Sequence, residues 1–462
     1  MANERLSSLL IEAGFLDRAG TVGRKRFARA VSESPAARTA GRSYSHTYVS
    51  RWIAGTVPRD DATRTAIAQA VGAALGRTVA LDELGFRRPT TADPQAGLAY
   101  PGSAEDGVVA TAQLLDADLA SAPVVLSAPT NVAAWNEASV SWLVGSQPPV
   151  GDRTEGPSRI GLSDVQRLRT MRETFDRLDS TFGGAHARNS LVQYLRTELP
   201  LLLRAAGTAD VRRALFAAAG ESTQLAAWMA YDAGLHGIAQ RYFIQALGLA
   251  DAGEDRLLAA SILDAMSHQA SFLGRYREAA NMARAARLGT DSIGIPILTS
   301  HFHIMEARAL ARIGDADACD RAMGSAVHHF EQRRAGDEPA WISYFDRTEM
   351  AAELAHCHRD LGRADVAVEH AQRALASASG EYVRSDFFVT MVLADSLIDR
   401  GDLDEGCRVA ADALEVGEGL RSARYSSYVD EFRERLVRHR RSTAVRTFAD
   451  SARHLRLWRP AE

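Results

Sequence analysis

At 462 residues the chain is too long for one hydrophobic core, and 46% apolar against 7% aromatic residues, with few β-branched runs, excludes a β-rich protein and sets an all-α expectation. No uninterrupted apolar run approaches about eighteen residues and no basic leader precedes one, while Cys319, Cys357 and Cys407 lack Cys-x-x-Cys spacing, so a cytoplasmic protein without membrane spans, disulfides or zinc is expected. The net charge of −4 divides into +6 for residues 1–90 and −10 for the remainder, which makes nucleic acid a partner of the head alone.

Asn3 is placed to cap a first helix whose apolar positions Leu6, Leu9, Leu10 and Phe15 recur at helical spacing around Gly14. A second helix over Arg24 to Val31 sets Phe27, Ala30 and Val31 on one face and Arg24, Lys25, Arg26 and Arg29 on the other. Ser45 to Gly55 predicts a short capped helix, closed by Gly55 and prevented from continuing by Pro58. Val49, Trp52 and Ile53 must face a core, which turns His46, Thr47, Ser50 and Arg51 outward. A further helix, Asp61 to Leu75, closes the unit through Ile67, Ala70, Val71 and Leu75.

The Val49-Ser50-Arg51-Trp52 string with Gly55 and Pro58 resembles the xenobiotic-response-element class of helix-turn-helix regulators. That resemblance implies a helix-turn-helix DNA-binding domain over residues 1–88, with His46, Thr47, Ser50 and Arg51 on a recognition helix facing base edges in the major groove. Arg24, Lys25, Arg26, Arg38, Arg42 and Arg59 are the expected phosphate contacts. The chain departs from the class between the second and recognition helices, where Ser32 to Tyr44 replace a tight turn and leave the groove register open. One such domain covers only about 600–1,000 Å², so a homodimer on a pseudo-palindrome of double-stranded DNA is expected.

Residues 89–160 read as a linker, Pro89 to Pro101, and a small docking region ending in the Pro- and Gly-rich joint Gly145 to Pro157. Residues 161–462 then read as helix after helix, organised by a repeat around Gly234, Gly274, Gly314, Gly362 and Gly401. Seven residues before each glycine stands a small residue (Ala227, Ser267, Ala307, Ala355, Ala394), and five after it another (Ala239, Ala279, Cys319, Ala367, Gly406). Antiparallel helices joined at a glycine turn approach closely only where both present small side chains, so ten helices are expected to pair this way. The pattern resembles the tetratricopeptide repeat and implies a tetratricopeptide-like α-solenoid, with Thr443 to Trp458 as a helical cap.

The first helix of each pair would line a concave groove through Gln224, Trp228, Tyr231, His268, Arg308, His356 and Arg359, a mixture suited to a peptide or a small-molecule effector. His301-x-His303, His328-His329 and His356-x-His358 do not converge on one helix face with a carboxylate, so no metal is expected; no motif calls for a cofactor or for catalysis. Nearly the whole chain is similar to a group of actinobacterial regulators of development and antibiotic production, and more distantly to peptide-responsive helix-turn-helix/tetratricopeptide regulators. The carrying residues are Ser50-Arg51-Trp52 to Pro58, Phe182 to Arg188, Trp228 to Gly234 and Gln240 to Phe243. A transcription regulator is thereby implied. The alternative is a repeat scaffold that binds a protein partner and uses its head for docking.

Overall fold

A computed structural model describes residues 3–17, 20–58, 60–77, 79, 81, 83–85, 93–120, 122–145, 147–182, 184–334, 336, 338–377, 383–418 and 422–459. The chain is all-α, with no β-strand among the described residues, and divides into two compact units, Met1–Thr91 and Ala92–Glu462. The expected boundary at residues 88 and 89 lies outside the described residues. Among the described residues no helix is long and apolar enough to cross a membrane.

The first unit comprises α1 (Glu4–Glu12), α2 (Arg24–Glu33), α3 (Pro35–Thr39), α4 (His46–Ile53) and α5 (Asp61–Leu75). The Asn3 side chain accepts from Leu6 N at 3.0 Å and starts α1. Leu6, Leu10, Phe27, Val31, Val49, Trp52, Ile67 and Val71 form one buried core, each side chain contributing about 1.5–3 kcal/mol on transfer from water. The expected capping side chain of α4 is corrected. Ser45 takes the extended N-cap backbone, yet its hydroxyl makes no cap hydrogen bond, and it is Asp60 that caps α5 through Thr63 N at 2.8 Å.

The Ser32–Tyr44 stretch is structured. Ser34 caps α3, Pro35 supplies its first residue, and the Ser32 hydroxyl accepts from Tyr44 N at 2.8 Å, closing the excursion back onto the end of α2. The chain therefore re-enters at α4 close to where α2 ends, and α2 and α4 pack directly on each other through the shared core.

The second unit begins with α6 (Ala104–Leu119), α7 (Pro123–Leu126) and α8 (Val132–Val144), followed by α9 (Leu162–Phe182) and α10 (Gly184–Leu202). Both expected joints are corrected. Arg241, only 2% exposed, donates to the carbonyls of Ala96 (3.0 Å) and Pro94 (2.8 Å), and Gln245 donates to those of Gly97 and Ala99 (2.9 Å each), so residues 93–101 are strapped to a buried helix. Arg153 and Gly207 exchange backbone hydrogen bonds at 3.0 and 2.9 Å, which pins the Gly145 to Pro157 stretch as well. The region between joints is likewise built into the unit. Asp118 of α6 accepts from Arg188 of α10 at 2.5 Å and from the hydroxyl of Tyr242 at 2.7 Å, and Trp135 and Trp142 of α8 are fully buried.

The repeats form five consecutive antiparallel pairs: α11 (Ala209–Asp232) with α12 (His236–Ala252), α13 (Arg256–Phe272) with α14 (Tyr276–Thr290), and α15 (Pro296–Ile313) with α16 (Ala316–Glu331). The series continues with α17 (Arg347–Asp360) on α18 (Ala364–Ala376) and α19 (Val383–Arg400) on α20 (Leu403–Gly417). Each pair turns at the expected glycine, all five of which adopt φ between +72° and +99°, a conformation that costs any side chain with a Cβ. The small-residue positions lie at the crossings: Ser267 Oγ donates to Ala279 O at 2.8 Å and Cys319 Sγ to Ala307 O at 3.3 Å, contacts that require backbones in near touch. The stack is an α-solenoid-like architecture. Two helices follow, α21 (Ala423–Leu436) and α22 (Thr443–Ala452); the latter stops six residues before the expected Trp458, whose ring instead packs on Phe448 at 4.9 Å.

Candidate DNA-facing surface and the cavity of the repeats

In the first unit, the core anchors Val49 and Trp52 turn the other side of α4 outward, leaving His46, Thr47 and Arg51 exposed and Ser50 half-buried. Arg24 Nη1 donates to Ser50 Oγ at 3.3 Å, and Ser50 Oγ donates to His46 O at 3.0 Å. Arg24, Lys25 and His46 thus line one shallow concavity with Leu16, Val22 and Ile53. Gly23 precedes α2 and has no side chain to cap it, so the first turn of that helix carries backbone N–H groups and three exposed cations at the same edge. Such a helix start favours an anion.

The other expected phosphate contacts divide. Arg26 Nη1 donates to Gly14 O at 3.2 Å and Arg38 is exposed on α3, whereas Arg42 pairs with Asp60 at 2.7 Å and donates to Thr63 Oγ1 at 3.2 Å. Although partial burial acts the other way, hydrogen bonds from Thr63 and Arg42 hold the Asp60 carboxyl below its usual range. Arg42 is thereby committed to the entry of α5. Arg59 lies outside the described residues. Tyr48, given no role by the sequence reading, is 48% exposed on the flank of α4 and leans on Tyr44 and Trp52 with centroids 5.9 and 6.2 Å away.

In the second unit, α21 folds onto the first helices of the repeats and changes what the expected groove is. Arg424, Ser427, Tyr428 and Glu431, one face of α21, meet His268, Arg308, Arg312 and Arg359 around a common cavity. Of the seven expected groove residues, His268, Arg308 and Arg359 line it, and His356 lies beneath, its ring 5.8 Å from that of Tyr428. Gln224 and Trp228 are half-buried outside the lining, and Tyr231 is corrected to a core residue: fully buried, it bonds through its hydroxyl to His268 Nδ1 at 3.2 Å and lies 5.0 Å from the Arg424 guanidinium.

Charge is closely balanced around the cavity. Arg359 donates to Asp360 (2.9 Å) and Asp395 (3.0 Å), Arg312 to Asp360 (3.4 Å) and Glu431 (3.0 Å), Arg308 to Glu353, and Arg424 to Asp232 (2.7 Å). Burial, reinforced by the guanidinium charges around them, holds the His268 and His356 imidazoles well below their ordinary range, so both are neutral at neutral pH. Burial pushes the Asp395 carboxyl up to about 6 despite Arg359. Helix α21 could have been found from Tyr425, Val429, Phe432 and Leu436, whose spacing marks an apolar stripe with Arg424, Tyr428 and Glu431 beside it.

The histidine pairs pack within the repeats: His301 bonds to Asp264 at 2.7 Å, His303 stacks on His329 and His358 on His370. Among the described residues no three His, Cys, Asp or Glu side chains are grouped to hold a metal.

Among known families, the one described as the SP15 N-terminal domain matches residues 13–87, within the first unit. No curated protein and no solved structure matches the chain.

Proposed function

We propose that this chain is a sequence-specific, double-stranded-DNA-binding transcription regulator that works as a homodimer and uses its repeats to dimerise or to sense an effector. The observation that carries the reading is the continuity of the Arg24, Lys25 and Arg26 edge of α2 with the outward face of α4, tied by the Arg24–Ser50 hydrogen bond. Helix α4 is the helix-turn-helix reader in this proposal, with His46, Thr47, Ser50 and Arg51 toward base edges, and α3 lengthens the turn without parting α2 from α4. The sequence resemblance to actinobacterial regulators adds development or secondary metabolism as the process controlled.

The test is retardation of a fragment of the protein's own promoter by the full chain across a range of salt. Specific, salt-sensitive retardation that the Ser50→Ala, Arg51→Ala double variant loses supports the reading. Unchanged retardation by that variant overturns the assignment of α4. A stoichiometric protein partner together with no salt-dependent DNA affinity would favour a scaffold instead.

A further inference from the structure

We propose that the cavity between α21 and the first helices of the repeats is a binding site for a small metabolite with one acidic group, carboxylate or phosphate, and an apolar body. It deepens the effector part of the function proposed above and rests on that reading only for its consequence at DNA. Helix α21 already covers the repeat faces around the cavity through Arg424, Tyr428 and Glu431, the ground an extended peptide would need. What is left is a compact space lined by guanidinium groups whose charges are balanced but whose N–H donors are not all used.

The donors are unevenly spent. Arg312 and Arg359 use their terminal nitrogens on Asp360, Glu431 and Asp395. Among the described residues Arg308 bonds through Nη1 to Glu353, and Arg424 bonds through Nε to Asp232 and also to the Tyr231 hydroxyl, so both keep further N–H groups for an acceptor in the cavity they line. His268 engages Tyr231 through Nδ1, which leaves Nε2 beside them. Two guanidinium groups and an imidazole converging on one void form a charge-assisted cradle for a single acidic group. Phe272 and Met305 supply the apolar wall, and the flexible thioether of a Met adapts to varied shapes.

Calorimetric titration of the full chain with phenyl phosphate and with phenylacetate, and with neutral phenylacetamide as control, tests the site. Saturable binding of at least one acid, with the amide weaker by about tenfold or more, is expected, since a charge-assisted bond is roughly twice as strong as a neutral one. Pairing Arg308→Gln with Glu353→Gln avoids stranding a buried carboxylate, and Ser271→Leu fills the cavity without touching an ion pair; each should weaken binding by about tenfold or more at unchanged helical content. The proposal is overturned if neither acid binds in the millimolar range, if the amide binds as well, or if binding survives both variants. Promoter retardation by ligand-free protein, measured alongside, separates the two readings: its loss strikes DNA binding and leaves the site, and ligand silence with retardation intact does the reverse.

Discussion

Arg24 donates to Ser50 across 3.3 Å, joining the basic start of α2 to the middle of the outward face of α4. The two residues do different work in the proposed complex, because a cation at a helix start meets phosphate while a side chain on α4 meets bases. Arg51→Ala is therefore expected to cost about 1–3 kcal/mol on the operator and little on unrelated DNA, whereas Lys25→Ala weakens both alike and lowers the salt slope by about one phosphate contact. Fluorescence anisotropy on specific and random duplexes over a salt series reads both. Because both side chains are exposed, melting temperatures should not move.

The Arg42–Asp60 pair makes a separable prediction. Asp60 caps α5 through Thr63, so Asp60→Ala should destabilise the first unit by about 0.5–2 kcal/mol in denaturant melts. The Asp60 pKa is depressed on folding, so its contribution is present above its unfolded pKa of 3.8 and is lost as pH falls through the folded value. An acid-side slope that the Ala variant lacks is the expected signature.

Much of this architecture was legible because it rests on local rules. Gly234 to Gly401 announce turns that only glycine makes cheaply, and the small residues on either side announce where helices must touch; both follow from chain sterics alone. Residues 93–101 read as linker because Pro94, Gly97 and Pro101 leave no periodicity, and what fixes them is a side chain about 145 positions away, Arg241. Tyr231 read as a groove residue because the repeat register gives only a helix face, and that face is covered by α21, which arrives from outside the repeat. On α4 the buried Val49 and Trp52 set the exposed set by geometry, while the fate of Arg42 depended on Asp60 across a loop.

The glycine turns and crossings differ in what they forbid. Gly314, at φ +85° with open space around it, should tolerate alanine at about 1–2 kcal/mol, the strain of the left-handed backbone alone. A Cβ at Gly406 would lie 2.7 Å from Ile398 Cδ1 and 3.2 Å from Ala394 O, so Gly406→Val forces α19 and α20 apart and should cost more. Thermal denaturation of the two variants ranks them; the reverse order would contradict the close crossing.

Asp179, 3% exposed, pairs with Arg384 at 3.1 Å, yet one of its oxygens has no hydrogen-bond partner among the described residues and burial pushes its carboxyl up to about 6. A group whose pKa rises on folding stabilises fully below its unfolded value of 3.8 and loses that contribution as pH climbs through about 6. Asp179→Asn keeps an acceptor for Arg384 and cannot ionise. Melting temperatures followed from about pH 4 to pH 7 should decline less in the variant than in the parent protein. The neutral His268 and His356 act in the opposite sense, losing stability as pH drops below 6.5, and are common to both proteins, so the difference between the two curves isolates Asp179.

Arg241 holds the strap at residues 93–101 with no carboxylate partner among the described residues, its guanidinium spent on the carbonyls of Pro94, Ala96 and Gly237. Burial lowers its pKa, so the charge is retained against desolvation by those three acceptors. In Arg241→Met the stem packing survives and the acceptors lose their donor, at about 1–3 kcal/mol for each carbonyl left dry. The strap can escape that penalty by peeling into water, whereas the carbonyl of Gly237 stays within its own helix. Loss of order should therefore concentrate in the strap: limited proteolysis is expected to cut within residues 93–101 faster in the variant, with the helices of the repeats retaining their hydrogen-exchange protection. Equal cleavage in both proteins would mean that Gln245, bonded to Gly97 and Ala99, suffices to hold the segment.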